Sequence, residues 1–210
     1  HTRCSRDWSS DVCSSDLAAR SRNIGKVEWL TRLAGTGGDY VYSVATDNSG
    51  VYISGYYTSN PLTAYNADGT AYGTTLANSG SGDAFIAKYS TDGNVQWLTR
   101  IAGTGQDECH GIAIDNSGIY ISGYYNSTRL TAYNVDGTPY GITIPNSGSY
   151  DTFVVKYSMA GTVQWLTRIA GTGVDTGYGR IISDGFGGIY TAGYHSSNPL
   201  TAYNADGKIG

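Results

Sequence analysis

A site that occurs once in a repetitive chain has to be built from residues that break the repeat. In this sequence those residues are Glu108, Cys109, His110 and His195. Cys109 and His110 stand where the equivalent positions hold Val41 and Tyr42, and again Gly177 and Tyr178. A thiol and an imidazole adjacent on a strand point to opposite sides, which makes them a poor nucleophile and base pair. No second His, Cys or acid joins them at a metal-ligand spacing. The residues therefore point to no catalytic constellation, no metal and no cofactor.

The recurring polar groups each have two readings. Ala-Gly-Thr-Gly loops lead to Asp39, Asp107 and Asp175; phosphate binding would need a helix after the glycines, whereas a strand follows, so the loop reads as a turn whose Asp bonds loop amides. Asn66-Ala67-Asp68-Gly69, Asn134-Val135-Asp136-Gly137 and Asn204-Ala205-Asp206-Gly207 echo a calcium loop but lack its closing Glu, so they read as hairpin turns. Tyrosines crowd at Tyr56, Tyr57, Tyr124, Tyr125 and Tyr194, and continue at Tyr65, Tyr72, Tyr133 and Tyr140. Such rings can stack on a sugar or grip a protein, or they can pack the repeat together. Arg32, Arg100 and Arg168 stand ready to pair with a loop carboxylate. Asn126-Ser127-Thr128 fits a glycosylation sequon, meaningful only in a secreted eukaryotic protein. The candidate ligand-binding set is Tyr57, Tyr125, His195, Asp39, Asp107 and Asp175.

These residues are positioned by an internal repeat. VEWLTRLAGTG at Val27 returns as VQWLTRIAGTG at Val95 and at Val163, placing Trp29, Trp97 and Trp165 68 residues apart. The third copy reads SDGFGGIY where the second has DNSGIY, lengthening one turn by two residues. The chain contains 30 Gly and 19 Tyr but one Met, a mixture that favours strands and tight turns over helices. Its formal charge of −4 excludes a basic nucleic-acid footprint, and no apolar run is long enough to span a membrane. In the middle copy, strands are expected near Cys109 to Asp115, Ile119 to Tyr125, Asp151 to Tyr157 and Val163 to Gly171, with a further hairpin around Asp136-Gly137. Four hairpin-linked antiparallel strands per unit predict an all-β, propeller-type blade, with an open β-solenoid as the alternative. The segment from Asn126 to Tyr150 reads as an insertion between the second and third strands, sharing a face with the Gly-rich loops.

Residues 1–17 share nothing with the repeat and hold Cys4 and Cys13. The run Asp7 to Leu17, DWSSDVCSSDL, resembles a translated sequencing adapter, which would make this leader non-native. A Ser/Asp-rich tail or a small site using the two cysteines are the rival readings. The body, 21–210, then comprises copies starting near 27, 95 and 163, cut within a unit at both ends, with Cys109 as its one cysteine.

HGIAIDNSGIYISGYY and DTFVVKYSMAGTVQWLTRIAG resemble the bacterial seven-bladed β-propeller repeat called SBBP, and more distantly the NHL repeats. The resemblance covers essentially all of 21–210. It implies a propeller fold and an extracellular or cell-surface setting; no signal peptide is visible. The expected function is a non-catalytic module presenting its insertions to a protein or glycan. The alternative is a scaffold for a hydrolase or lyase whose catalytic blades lie outside this chain. Two and a half blades form an open arc, so the remaining blades of a parent protein are expected partners, and association through uncovered edges is expected of the isolated chain.

Overall fold

The structure is a computed structural model that describes residues 15–21 and 25–210. The leader reading falls mostly on His1 to Ser14, outside the described residues. Ser15, Asp16 and Leu17 open the first strand. β1 (Ser15–Ser21) and β2 (Val27–Ala34) form an antiparallel pair. They are followed by β3 (Asp39–Asp47), β4 (Gly50–Tyr57), β5 (Leu62–Tyr65), β6 (Ala71–Leu76), β7 (Asp83–Tyr89) and β8 (Val95–Ala102). The second copy adds β9 (Asp107–Asp115), β10 (Gly118–Tyr125), β11 (Arg129–Tyr133), β12 (Pro139–Pro145), β13 (Asp151–Tyr157) and β14 (Val163–Ala170). The third contributes short strands, β15 (Asp175–Thr176), β16 (Ile181–Ser183), β17 (Ile189–Thr191), β18 (Tyr194–His195) and β19 (Thr201–Ala202).

Strands β3, β4, β7 and β8 pair in that order as one antiparallel blade, and β9, β10, β13 and β14 as the next. The turns follow from their residues. Between β9 and β10, Asp115 Oδ1 accepts the Ser117 amide at 2.7 Å; between β13 and β14, Gly161 sits at φ 82° and donates to Ser158 O at 2.9 Å. Strands β1 and β2 are the outer half of an earlier blade: Leu17 faces Arg32 and Arg20 faces Trp29, the register in which Phe85 faces Arg100 and Lys88 faces Trp97. Strands β15 to β18 are the inner half of a later one. The expectation of propeller-type blades holds, and the solenoid alternative does not.

The inserted hairpins depart from where the sequence order puts them. Each leaves its own blade and pairs with the last strand of the preceding one: Leu33 with Ala64, Ile101 with Ala132, and Ile169 with Ala202. The sheet orders are accordingly β1-β2-β5-β6 and β3-β4-β7-β8-β11-β12. An outer strand otherwise exposes a row of unpaired amides and carbonyls, and the hairpin of the following copy covers it. Leu62 and Ala64 join Leu33, Phe85 and Leu98 in one buried cluster, so each hairpin also seals the groove between two blades.

The Trp-Leu-Thr-Arg motif builds this joint. Thr99 Oγ1 donates to the Tyr133 carbonyl at 2.7 Å, and the Arg100 guanidinium lies 4.6 Å from the centroid of the Tyr133 ring. Arg100 also bonds the Ala77 carbonyl and approaches Asp83 at 3.8 Å. Arg168 repeats the arrangement over Tyr203, 3.6 Å from Asp151. The pairing of these arginines with a carboxylate is therefore present, with the recurring tyrosine as a third member. Trp29 and Trp97 are buried, and Trp97 meets Tyr52 edge-on.

Candidate functional site

Each Gly-rich loop is held by a buried clasp. Asp107 Oδ2 accepts the Ser127 hydroxyl at 2.6 Å and Oδ1 its amide at 3.3 Å, while Ser127 Oγ accepts the Gly105 amide at 2.8 Å. Asp39 with Ser59 and Asp175 with Ser197 repeat it. The three carboxylates and the serines are buried, and the bonds tie the turn into each inner strand to the exit of the next strand. Burial pushes the Asp107 carboxyl up to about 7 despite the Ser127 bonds, with the Asp83 charge adding to the rise. The insertion thus begins on the face of the Gly-rich loop, as expected, before its hairpin crosses outward.

A second constellation lies on the inner strands. In β3 the pairing steps from Val41 opposite Gly55 to Ser43 opposite Ser54, leaving Tyr42 as the extra residue of a bulge. In β9 it steps from Cys109 opposite Gly123 to Gly111 opposite Ser122, leaving His110. Bulges redirect the side chain of the extra residue. Gly55 and Gly123 make them possible, because a Cβ there would fall 1.8 Å from the Tyr40 and Glu108 carbonyl oxygens. Tyr42 and His110 consequently stack across neighbouring blades at 4.6 Å between ring centroids. Tyr124 lies 5.1 Å from the other side of His110, and Tyr178 meets both His110 and Tyr124 edge-on at 5.2 and 5.0 Å. Tyr40, Tyr56 and Tyr150 extend the array.

Glu108 anchors this array. The His110 Nε2–H donates to Glu108 Oε2 at 2.9 Å, and Gln106 Nε2 donates to Oε1. Burial alone would raise the Glu108 carboxyl, but the bonds from His110, Gln106 and Tyr124 outweigh it and hold the group below its usual value. The Tyr124 hydroxyl is pushed up, by burial and by its bond to that carboxylate. Cys109 points the other way, into the core, and burial raises its thiol well above the usual range. The thiol and the imidazole are thus apart, as the sequence led one to expect, but the bulge and not simple alternation sets the direction of His110.

In front of the array lies an open cavity of about 670 Å³, lined by Tyr42, Val44, His110, Ile112, Tyr178 and Arg180 among others. Tyr178 and Arg180 are exposed. The surface offers flat ring faces, hydroxyls and a guanidinium, a set suited to holding an extended polar chain by stacking and hydrogen bonds. A carboxylate–imidazole pair can also move a proton at a bound molecule.

The sequence-derived residues fall in different places. Tyr57 and Tyr125 are fully buried, their hydroxyls donating to the Ala77 and Pro145 carbonyls at 2.9 and 2.7 Å. His195 occupies the column of those tyrosines in the third copy, is exposed, and pairs with Asp175 across β15 and β18. Asp39, Asp107 and Asp175 form the clasps and do not converge on one another. Only Glu108, His110, Tyr56 and Tyr124, among the residues weighed above, enter the aromatic array. Tyr40, Tyr42, Tyr150, Tyr178 and Arg180 entered no candidate set. Their signal was the aromatic column 42, 110 and 178, which is kept in every copy at a position where strand alternation alone gives no direction.

Among the described residues, no group of three or more His, Cys, Asp or Glu side chains is arranged to hold a metal. Among the described residues, no helix is long and apolar enough to cross a membrane. No protein-family model matches the chain. Over 171 residues it is 29% identical to an uncharacterised WD repeat-containing protein of Acanthamoeba polyphaga mimivirus. That match takes in 80% of this chain and 12% of the relative's length. Likeness to a WD-repeat protein, together with antiparallel blades and no helix among the described residues, makes this chain a propeller-type repeat array.

Proposed function

We propose that this chain is a non-catalytic propeller-type module that binds a segment of another protein along the inner aromatic surface. The observation that carries this reading is the aromatic array around the Glu108 and His110 pair, because it gathers residues from three consecutive copies at a position where the repeat is broken once. The aromatic column is shared by the copies, whereas the Glu108 and His110 pair occurs in one of them, the other copies holding Tyr40 with Tyr42 and Thr176 with Tyr178, so a single carboxylate–imidazole pair marks one place on a common aromatic surface. Likeness to a WD repeat-containing protein supports a repeat module. An extended peptide can lay its side chains on the ring faces of Tyr42 and Tyr178 and hydrogen-bond the exposed Tyr178 hydroxyl.

Selection of random-sequence peptides on the immobilised chain, followed by titration of the selected peptides, tests the reading. Tyr178 is exposed, so Tyr178→Ala removes contact area without opening the core. Peptides are expected to bind the unaltered chain and to lose tenfold or more in Kd against Tyr178→Ala, about 1.4 kcal/mol. Peptides that bind both forms equally, or a surface that takes glycans on an array and no peptide, would overturn it.

A further inference from the structure

We infer that the peptide taken by the aromatic surface is one that carries a carboxylate, received by the Arg180 guanidinium at the cavity beside His110. The inference rests on the peptide-binding reading and adds the chemistry of the peptide.

The first observation is that the repeat is broken a second time beside the same cavity. Tyr42, His110 and Tyr178 form one row across the three copies, and two residues further along each copy Val44, Ile112 and Arg180 form another. All six line the cavity. Arg180 therefore places a cation in a row that is otherwise aliphatic. Ile112 is buried in its copy, whereas Arg180 is exposed.

The second observation is that this charge is unanswered within the chain. Arg32, Arg100 and Arg168 each lie over a tyrosine ring, and the latter two also approach a buried aspartate. Among the described residues, no carboxylate, hydrogen-bond acceptor or ring partners the Arg180 guanidinium. The acid of the array does not supply one, because Glu108 accepts hydrogen bonds from Gln106, His110 and Tyr124.

The third observation is that the backbone fixes where the guanidinium starts from. A Cβ at Gly111 would fall 2.9 Å from Ile181 N, so the third copy lies directly against the inner strand of the second. A Cβ at Gly179 would fall 1.7 Å from the Ala192 carbonyl oxygen, so the stretch carrying Tyr178 and Arg180 is held just as closely to its own second strand. A guanidinium presents a planar fork of donors that fits a carboxylate in two parallel bonds. With a carboxylate on Arg180, the neighbouring side chains of an extended peptide reach the ring faces of Tyr178 and Tyr42 and the aliphatic Val44.

Random-sequence peptides made with free and with amidated C-termini are to be selected on the immobilised chain. The selected peptides are then titrated beside forms in which Asp or Glu is replaced by Asn or Gln. Enrichment of Asp or Glu is expected, and exchange of the bound acid for its amide is expected to weaken Kd about fivefold, the upper end for a pair that solvent still reaches. A preference that follows the free C-terminus supports the inference equally and makes the terminal carboxylate the group received. Arg180→Gln is expected to leave the circular dichroism spectrum unchanged, since the side chain is exposed, and to bind acid and amide peptides equally. The comparison of acid with amide on the unaltered chain stands without the variant. Selected peptides that show no preference for a carboxylate, or a preference that survives Arg180→Gln, would overturn the inference and leave peptide binding standing. Selection of no peptide at all would overturn both.

Discussion

Ser127 carries more than its size suggests. Its hydroxyl donates to the buried Asp107 and accepts the Gly105 amide. Ser127→Ala leaves the buried Asp107 carboxyl and the half-buried Gly105 amide without it, and about 1 to 3 kcal/mol of stability is expected to be lost in denaturant titration. The pH dependence has a defined sign. Burial first, then the Asp83 charge, raise Asp107 to about 7 in the folded chain, so the stability this proton contributes is fully present below 3.8 and is lost as pH rises through about 7. Asp83, raised by burial to about 6, acts in the same direction. Glu108, held low by its hydrogen bonds against burial, acts oppositely, its contribution being lost as pH falls below 4.5 through the lowered value. The melting temperature is therefore expected to fall between 3.8 and about 7, and Asp107→Asn to flatten that limb. At this scale the sequence was partly legible. Asp107 was readable as a turn-binding carboxylate, because Gly-rich loops need such acceptors. The Ser127 partnership was not, because 20 residues separate the two.

Among elements, the hairpins decide how blades are joined. Leu62 and Tyr57 are both fully buried, one on the hairpin and one at the end of β4. Leu62→Ala is expected to cost about 2 to 5 kcal/mol and Tyr57→Ala about 3 to 5 kcal/mol, each measured as a shift in the chemical denaturation midpoint. The strands of the second copy and the hairpin around Asp136-Gly137 could be read from alternation and turn residues, and they stand within two residues of those positions. The crossing of each hairpin to the preceding blade could not be read, since Leu130 and Ala132 would be equally apolar packed on either blade. Bulge placement was hidden for a related reason: a glycine such as Gly123 in a strand announces a close approach without saying which neighbouring residue is displaced.

Across the whole molecule, order is uneven. β10 and β13 lie at the centre of a blade covered on both faces, whereas the third copy offers strands of two or three residues and an exposed Phe186 in its lengthened turn. Hydrogen exchange is expected to be slowest in β10 and β13 and fastest over 177–193, with both rates reported on the same sample. Equal protection across the two regions would contradict this distribution.

The crossing hairpins also separate the unit that is copied in the gene from the unit that holds together in space. Leu62 to Leu76 is encoded with β3 and β4 but closes the sheet made by β1 and β2. A duplicated stretch of 68 residues therefore arrives carrying the lock for whatever copy precedes it and an outer strand awaiting the lock of whatever copy follows. Such an array can lengthen or shorten by unequal recombination at any copy without a new joint being invented, which accounts physically for three copies so alike in Trp-Leu-Thr-Arg and Leu-Thr-Ala-Tyr. It also means that a defect in one copy is felt one sheet earlier than the codon that caused it.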